Sequence, residues 1–122
     1  MKDKICFVVQ RYGLEVNGGA ELHCREIAEH MGEQFHVTVL TSRAADYMTW
    51  EDRYDAGEEC INGVRVLRFS VEHPRDNARF NKLNGRLMGG RRIDEAEWVK
   101  EQGPFVPELT NYIREHKDEY RC

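Results

Sequence analysis

Between Ile5 and Ser42 the chain runs from a continuous apolar stretch (Ile5 to Val9) through a polar loop and a Gly-Gly pair into a helical stripe. It then enters a second β-branched run, "FHVTVLTS" (Phe35 to Ser42). This order constrains the fold more than any other feature. An unbroken apolar run is the pattern of a strand covered on both faces, which implies a parallel neighbour. From Gly18 to Met31, apolar residues at Ala20, Cys24, Ile27, Ala28 and Met31 hold one helical face, and Gly32 follows as a stop. Strand, helix and strand in so short a stretch predict a right-handed crossover between parallel strands.

The remainder extends that plan. Asn62-Gly63 marks a turn ahead of a third strand, "VRVLRFSV" (Val64 to Val71), and "EECINGVRV" predicts a small hairpin feeding it. A short helix is expected around Phe80, Leu83 and Leu87, and another from Ile93 to Glu101. A last helix is expected to open with Pro104 in its first turn and to carry Phe105, Leu109, Tyr112, Ile113, His116 and Tyr120 to the end of the chain. The fold class expected is α/β: a Rossmann-like parallel sheet with helices on both faces. At 122 residues there is room for one domain. A net charge of −4 disfavours nucleic acid as a partner. No run reaches the roughly 20 apolar residues of a spanning helix, and the N-terminus lacks a signal-peptide core, so a cytoplasmic location is expected.

In such sheets ligands bind beyond the carboxyl ends of the strands, where loops enter helix N-termini. The loop Gln10 to Asn17 and the pair Gly18-Gly19 occupy that place. A helix start offers free N–H groups and partial positive charge to a phosphate, and glycine permits close approach. Equally, the junction reads as a tight turn capped by Asn17 or Gly18, with Glu21 bonding back to the helix start. Neither a Walker A loop nor G-x-G-x-x-G is present.

The strand "KICFVVQRYG", the element "NGGAE", the helix "LHCREIAEHM" and the strand "HVTVLT" together resemble the N-terminal domain of family 4 glycosyltransferases. The likeness continues through "DYMTWEDRYDAG", "INGVRVLRF", Arg75-Asp76 and "EQGPFVPEL". The resemblance implies the GT-B fold, two Rossmann-like domains facing across a cleft. Residues 1–122 would be a partial N-terminal, acceptor-side domain, with the donor-binding C-terminal domain absent. It further implies a metal-independent hexosyltransferase activity of the full-length protein, from a nucleotide-diphospho-sugar to an acceptor hydroxyl, in glycan or glycolipid synthesis. The 122 residues alone would be inactive, would bind no cofactor, and would contain no catalytic residue. By the same resemblance Gly18 and Gly19, with Asn17 and Glu21, form the loop facing the donor diphosphate or the acceptor. Arg11, Tyr12, Asp46, Tyr47, Arg75 and Asp76 are candidate contacts to a sugar or lipid-linked acceptor. For Tyr47 and Trp50, packing beneath their own loop is the competing reading.

Other chemistries fit less well. His23 and His30 share a helix face but are two turns apart, about 10.5 Å, too far for one ion, so no metal site is expected. Four cysteines show no C-x-x-C pair, and nothing places Cys24 beside a base. The segment 75–92 carries a local charge of +5 against the chain's net −4. It is either a solvated charge run or a peripheral contact to the inner face of a membrane. A stand-alone flavodoxin-like binding module is the alternative to a transferase domain. Lastly, the expected strand order leaves the first strand at an edge, so self-association of the chain is expected unless the final helix covers it.

Overall fold

A computed structural model describes residues 2–122. Along β1 (Lys4–Val8), β2 (His36–Ser42) and β4 (Val64–Phe69), alternate side chains point to opposite faces and sort the apolar residues into two layers. Ile5, Val37, Val39, Val64 and Val66 share one face with Ile61 of β3 (Gly57–Ile61). Against them lies α1 (Gly19–Met31), contributing Ala28, Cys24 and Met31. Leu40 and Phe69 point the other way, toward α4 (Pro107–His116), where Phe69 meets Tyr112 with ring centroids 5.5 Å apart.

The sheet order is β1-β2-β4-β3, with β1, β2 and β4 parallel and β3 antiparallel to β4. The expected α/β class and the Rossmann-like layering therefore hold, with one addition: the hairpin strand β3 makes the sheet mixed. Its turn is Asn62-Gly63, with φ of 49° and 81°, the paired positive values of a two-residue hairpin loop. The strand expected to reach Val71 stops at Phe69, because the N–H of Val71 turns away to the Asp52 carboxylate, 3.0 Å distant.

Beyond the sheet, α2 (Asn77–Met88) and α3 (Glu95–Gln102) form a helical hairpin joined through Phe80 and Trp98, centroids 6.1 Å apart. The last helix starts later than expected. Pro107, not Pro104, holds its first turn. The Phe105 carbonyl accepts from the N–H of Glu72 at 2.9 Å, which keeps Pro104 to Val106 in the extended strap beside β4 rather than in a helix. Nor does the helix run to the chain end: Lys117–Glu119 tighten into a 3₁₀ turn and Tyr120 is extended. Arg121 and Cys122 then run alongside β1, Arg121 N–H to Lys4 O at 2.7 Å and Cys6 N–H to Cys122 O at 3.0 Å. Half of the β1 edge is thus occupied, and Val8, 57% exposed, marks the bare half.

Tyr12 lies wholly inside this core, which removes it from the candidate acceptor contacts. Its hydroxyl is buried with no hydrogen-bond partner, and its pKa is pushed up to about 12, first by burial and then by the charge of Glu29. An unfolded tyrosine ionises near 10. The stability Tyr12 contributes is therefore complete below about pH 10 and is lost as pH climbs toward 12. Tyr12→Phe also deletes an unpaired buried hydroxyl. The substitution is expected to leave stability at pH 7 unchanged or raised by about 1 kcal/mol, and to shift alkaline unfolding to higher pH. Thermal melts from pH 7 to 11.5 check it.

Candidate functional site

The carboxyl ends of β1, β2 and β4 converge on one edge, and the loops that follow them are tied together by side chains. Ser42 at the end of β2 donates its hydroxyl to the Gln10 carbonyl at 2.6 Å, joining β2 to the loop after β1. Arg11, the next residue, is the hub. Its Nε donates to Glu21 Oε1 at 3.0 Å, its second terminal nitrogen pairs with the same carboxylate at 2.9 Å, and its first donates to the Ala45 carbonyl at 3.0 Å. The ring of Tyr47 lies 5.3 Å from the guanidinium carbon. One cation therefore holds the β1 loop, the first turn of α1 and the β2 loop, and its side chain is only 12% exposed.

This pair explains the first glycine of the Gly-Gly junction. A Cβ on Gly18 would collide with the Glu21 carboxylate and stand 2.7 Å from the Arg11 guanidinium. Gly18 is the N-cap of α1 at φ −61°, ψ 147°, a conformation any residue adopts, so space and not backbone freedom requires glycine there. Gly19 is different: nothing lies within 4 Å of where its Cβ would be. No side chain caps this helix. The first intrahelical bond runs from Leu22 N–H to Gly18 O, so the N–H groups of Gly19, Ala20 and Glu21 have no intrahelical partner. Asn17 is exposed beside them and does not cap. Glu21 turns to Arg11 and does not bond back to the helix start.

The remaining candidates take structural posts. Both carboxylate oxygens of Asp46 serve its own turn, accepting from Met48 N–H at 2.8 Å and Thr49 hydroxyl at 3.5 Å. Asp76 caps α2, accepting from Arg79 N–H at 3.0 Å. Arg75 donates from Nε to the Gln102 carbonyl at 3.2 Å and sits 5.4 Å from the Trp50 ring and 4.9 Å from Phe80. Burial holds its pKa below the usual guanidinium value. Trp50 is buried and donates to the same Gln102 carbonyl at 2.8 Å, so it packs beneath its loop, whereas Tyr47 stays 56% exposed. Gly103, at φ 64°, faces the Trp50 indole so closely that its Cβ would stand 2.8 Å from the ring.

Sequence reading missed the groove beside β1. A cavity of about 320 Å³ opens at the ends of β1 and β2, between Val8, Gln10 and Ser42 on one side and Pro104, Phe105 and Leu109 on the other. Only the folding back of the Gly103 strap creates it, and no local motif signals that. A larger cavity of about 760 Å³ lies at the opposite edge, among Lys4, His36, Arg65 and Tyr112, at the amino ends of the strands. Ligands of doubly wound sheets bind at the carboxyl ends, which favours the smaller groove and the α1 start. No group of three or more His, Cys, Asp or Glu able to hold a metal occurs among the described residues. Comparison with family models, curated proteins and solved structures finds no match to the chain.

The two glycines should part company on mutation. The atoms that would meet a Cβ at Gly18 are side-chain tips that can swing aside, so the cost of Gly18→Ala is the ion pair they abandon, about 1–3 kcal/mol. Gly19→Ala, in a first helical turn with open space around it, is expected to be neutral or to stabilise by about 0.5 kcal/mol. Urea unfolding of the two variants checks both values. Equal losses would contradict the assignment.

Proposed function

We propose that this chain is the acceptor-side Rossmann-like domain of a metal-independent glycosyltransferase, and that Gly19, not Gly18, is where a donor diphosphate or acceptor approaches the backbone. The observation that carries the reading is the uncapped start of α1 at the carboxyl edge of the sheet, with Gly19 facing open space. Free N–H groups and the positive end of a thirteen-residue helix favour an anion there. A side chain at Gly19 would fill the approach without disturbing the ion pair beside it.

In this reading Arg11 and Glu21 are positioning residues. Their charges are spent on each other and on Ala45, and they fix the loop rather than touch substrate. Asn17 and Tyr47, both exposed on the same edge, are the side chains left to contact a sugar or lipid-linked acceptor. The groove between Gln10 and Leu109 offers a mixed polar and apolar wall at the carboxyl ends of β1 and β2. Nucleotide recognition and the transfer step belong, in the resemblance, to a second domain facing this edge.

The test is release of nucleoside diphosphate by the intact gene product from a panel of nucleotide-sugars. Gly19→Val is expected to lower transfer by about tenfold or more at unchanged melting temperature. The 122 residues alone are expected to bind UDP- and GDP-sugars weakly or not at all by calorimetry. Full transfer by Gly19→Val, or micromolar binding by the 122 residues, would overturn the assignment.

A further inference from the structure

The α2–α3 hairpin stands out from the sheet with its base at the site and its tip in solvent. Asp76 and Arg75 anchor the base, where Arg75 meets Trp50 and Gln102. Twelve helical residues at about 1.5 Å each then carry α2 roughly 18 Å outward. The basic run of segment 75–92 divides along that length. Arg75 is consumed at the base, and Arg79 pairs with Glu97 and, at 3.7 Å, with Glu101 of α3. Phe80 faces Trp98 across the hairpin. These inner residues make the hairpin and are not available to a partner.

At the tip the situation reverses. Leu87 is 40% and Met88 76% exposed, the latter the most exposed of the large apolar side chains described. Around them stand Lys82, Arg86, Arg91 and Arg92, all exposed and in no ion pair among the described residues. The nearby carboxylates are those of Asp94, Glu95 and Glu97. Asp94 caps α3 through Ala96 and Glu97 N–H, and Glu97 is held by Arg79, which leaves Glu95 as the one uncommitted acid near four cations. Gly89 and Gly90 close the tip with no side chain of their own, and Gly90 takes φ 75°. An apolar pair framed by cations, in a chain that is otherwise acidic, has the charge complementarity and amphipathic geometry of a membrane-surface contact.

We propose that the α2–α3 tip docks on an anionic lipid surface, with Leu87 and Met88 entering the headgroup region and Lys82, Arg86, Arg91 and Arg92 meeting lipid phosphates. A nucleic acid or another polyanion would engage the cations but leave the apolar pair without a role, and no aromatic stands among them to stack on bases. The proposal rests on the tip alone and stands whether or not the chain serves a glycosyltransferase.

Co-sedimentation with phosphatidylcholine vesicles and with vesicles containing phosphatidylglycerol tests it. Binding is expected only to the anionic vesicles and is expected to fall with added salt. The paired variant Arg91→Glu/Arg92→Glu should weaken it by about tenfold or more. Leu87→Ser/Met88→Ser should weaken it clearly at unchanged charge. All four side chains are exposed, and circular dichroism is expected to find both variants folded. Three results would each overturn the proposal: no binding to anionic vesicles at low salt, binding indifferent to the Leu87/Met88 change, or equal affinity for an oligonucleotide of matching charge.

Discussion

A guanidinium and a carboxylate ten positions apart meet across a residue that has no side chain, and the loops of the candidate site hang from that meeting. Arg11 leaves the end of β1, Glu21 leaves the first turn of α1, and Gly18 supplies the gap through which they pair. The pair is nearly removed from water, which strengthens the attraction and raises the cost of leaving either charge alone. The third contact, from Arg11 to the Ala45 carbonyl, extends the tie to the loop after β2. A shorter cation could not span the three segments, and a side chain at Gly18 would drive them apart.

Two further arginines repeat the device along the same edge. Arg43 donates to the Tyr54 carbonyl at 2.7 Å and to the Ser70 hydroxyl at 3.0 Å, binding the loop after β2 to the end of β4. Arg75 fastens the loop after β4 to the end of α3. The edge is thereby built from loops held by buried or half-buried cations whose bonds go to backbone carbonyls and side-chain oxygens alike. Such struts fix the floor of a site without being its chemistry. What they leave open is the first turn of α1, with Asn17, Gly19 and Tyr47 turned to solvent.

The fold was legible wherever the information is local. The runs of β1 and β2 form the parallel strands expected, the α1 stripe turns Cys24, Ala28 and Met31 to the core while Ala20 and Ile27 stay exposed, and Asn62-Gly63 specifies its own turn by conformation. Legibility ended where a residue's fate depends on a distant partner. Tyr12, flanked by Arg11 and Gly13 in a polar loop, reads as exposed, yet the loop folds it under the sheet beside Ala28 and Val39. Asp46 and Asp76 read as ligand-facing acids, but each bonds an amide two or three residues ahead. Pro104 has the marks of a helix start until Glu72 claims the neighbouring carbonyl. The α1 start was singled out from the strand–loop–helix order, but the division of labour between Gly18 and Gly19 depends on where Arg11 and Glu21 meet, which the sequence around the pair does not signal.

The dependence of the site on one ion pair is open to direct measurement by a double-mutant cycle on Arg11→Met and Glu21→Gln, followed by urea unfolding. If the pair fixes these loops, the two substitutions are strongly coupled: either alone costs about 3 kcal/mol, the second adds little, and the coupling energy is about 2 kcal/mol or more. Additivity to within about 0.5 kcal/mol would mean that Arg11 and Glu21 act independently, and that Gly18 is there for another reason.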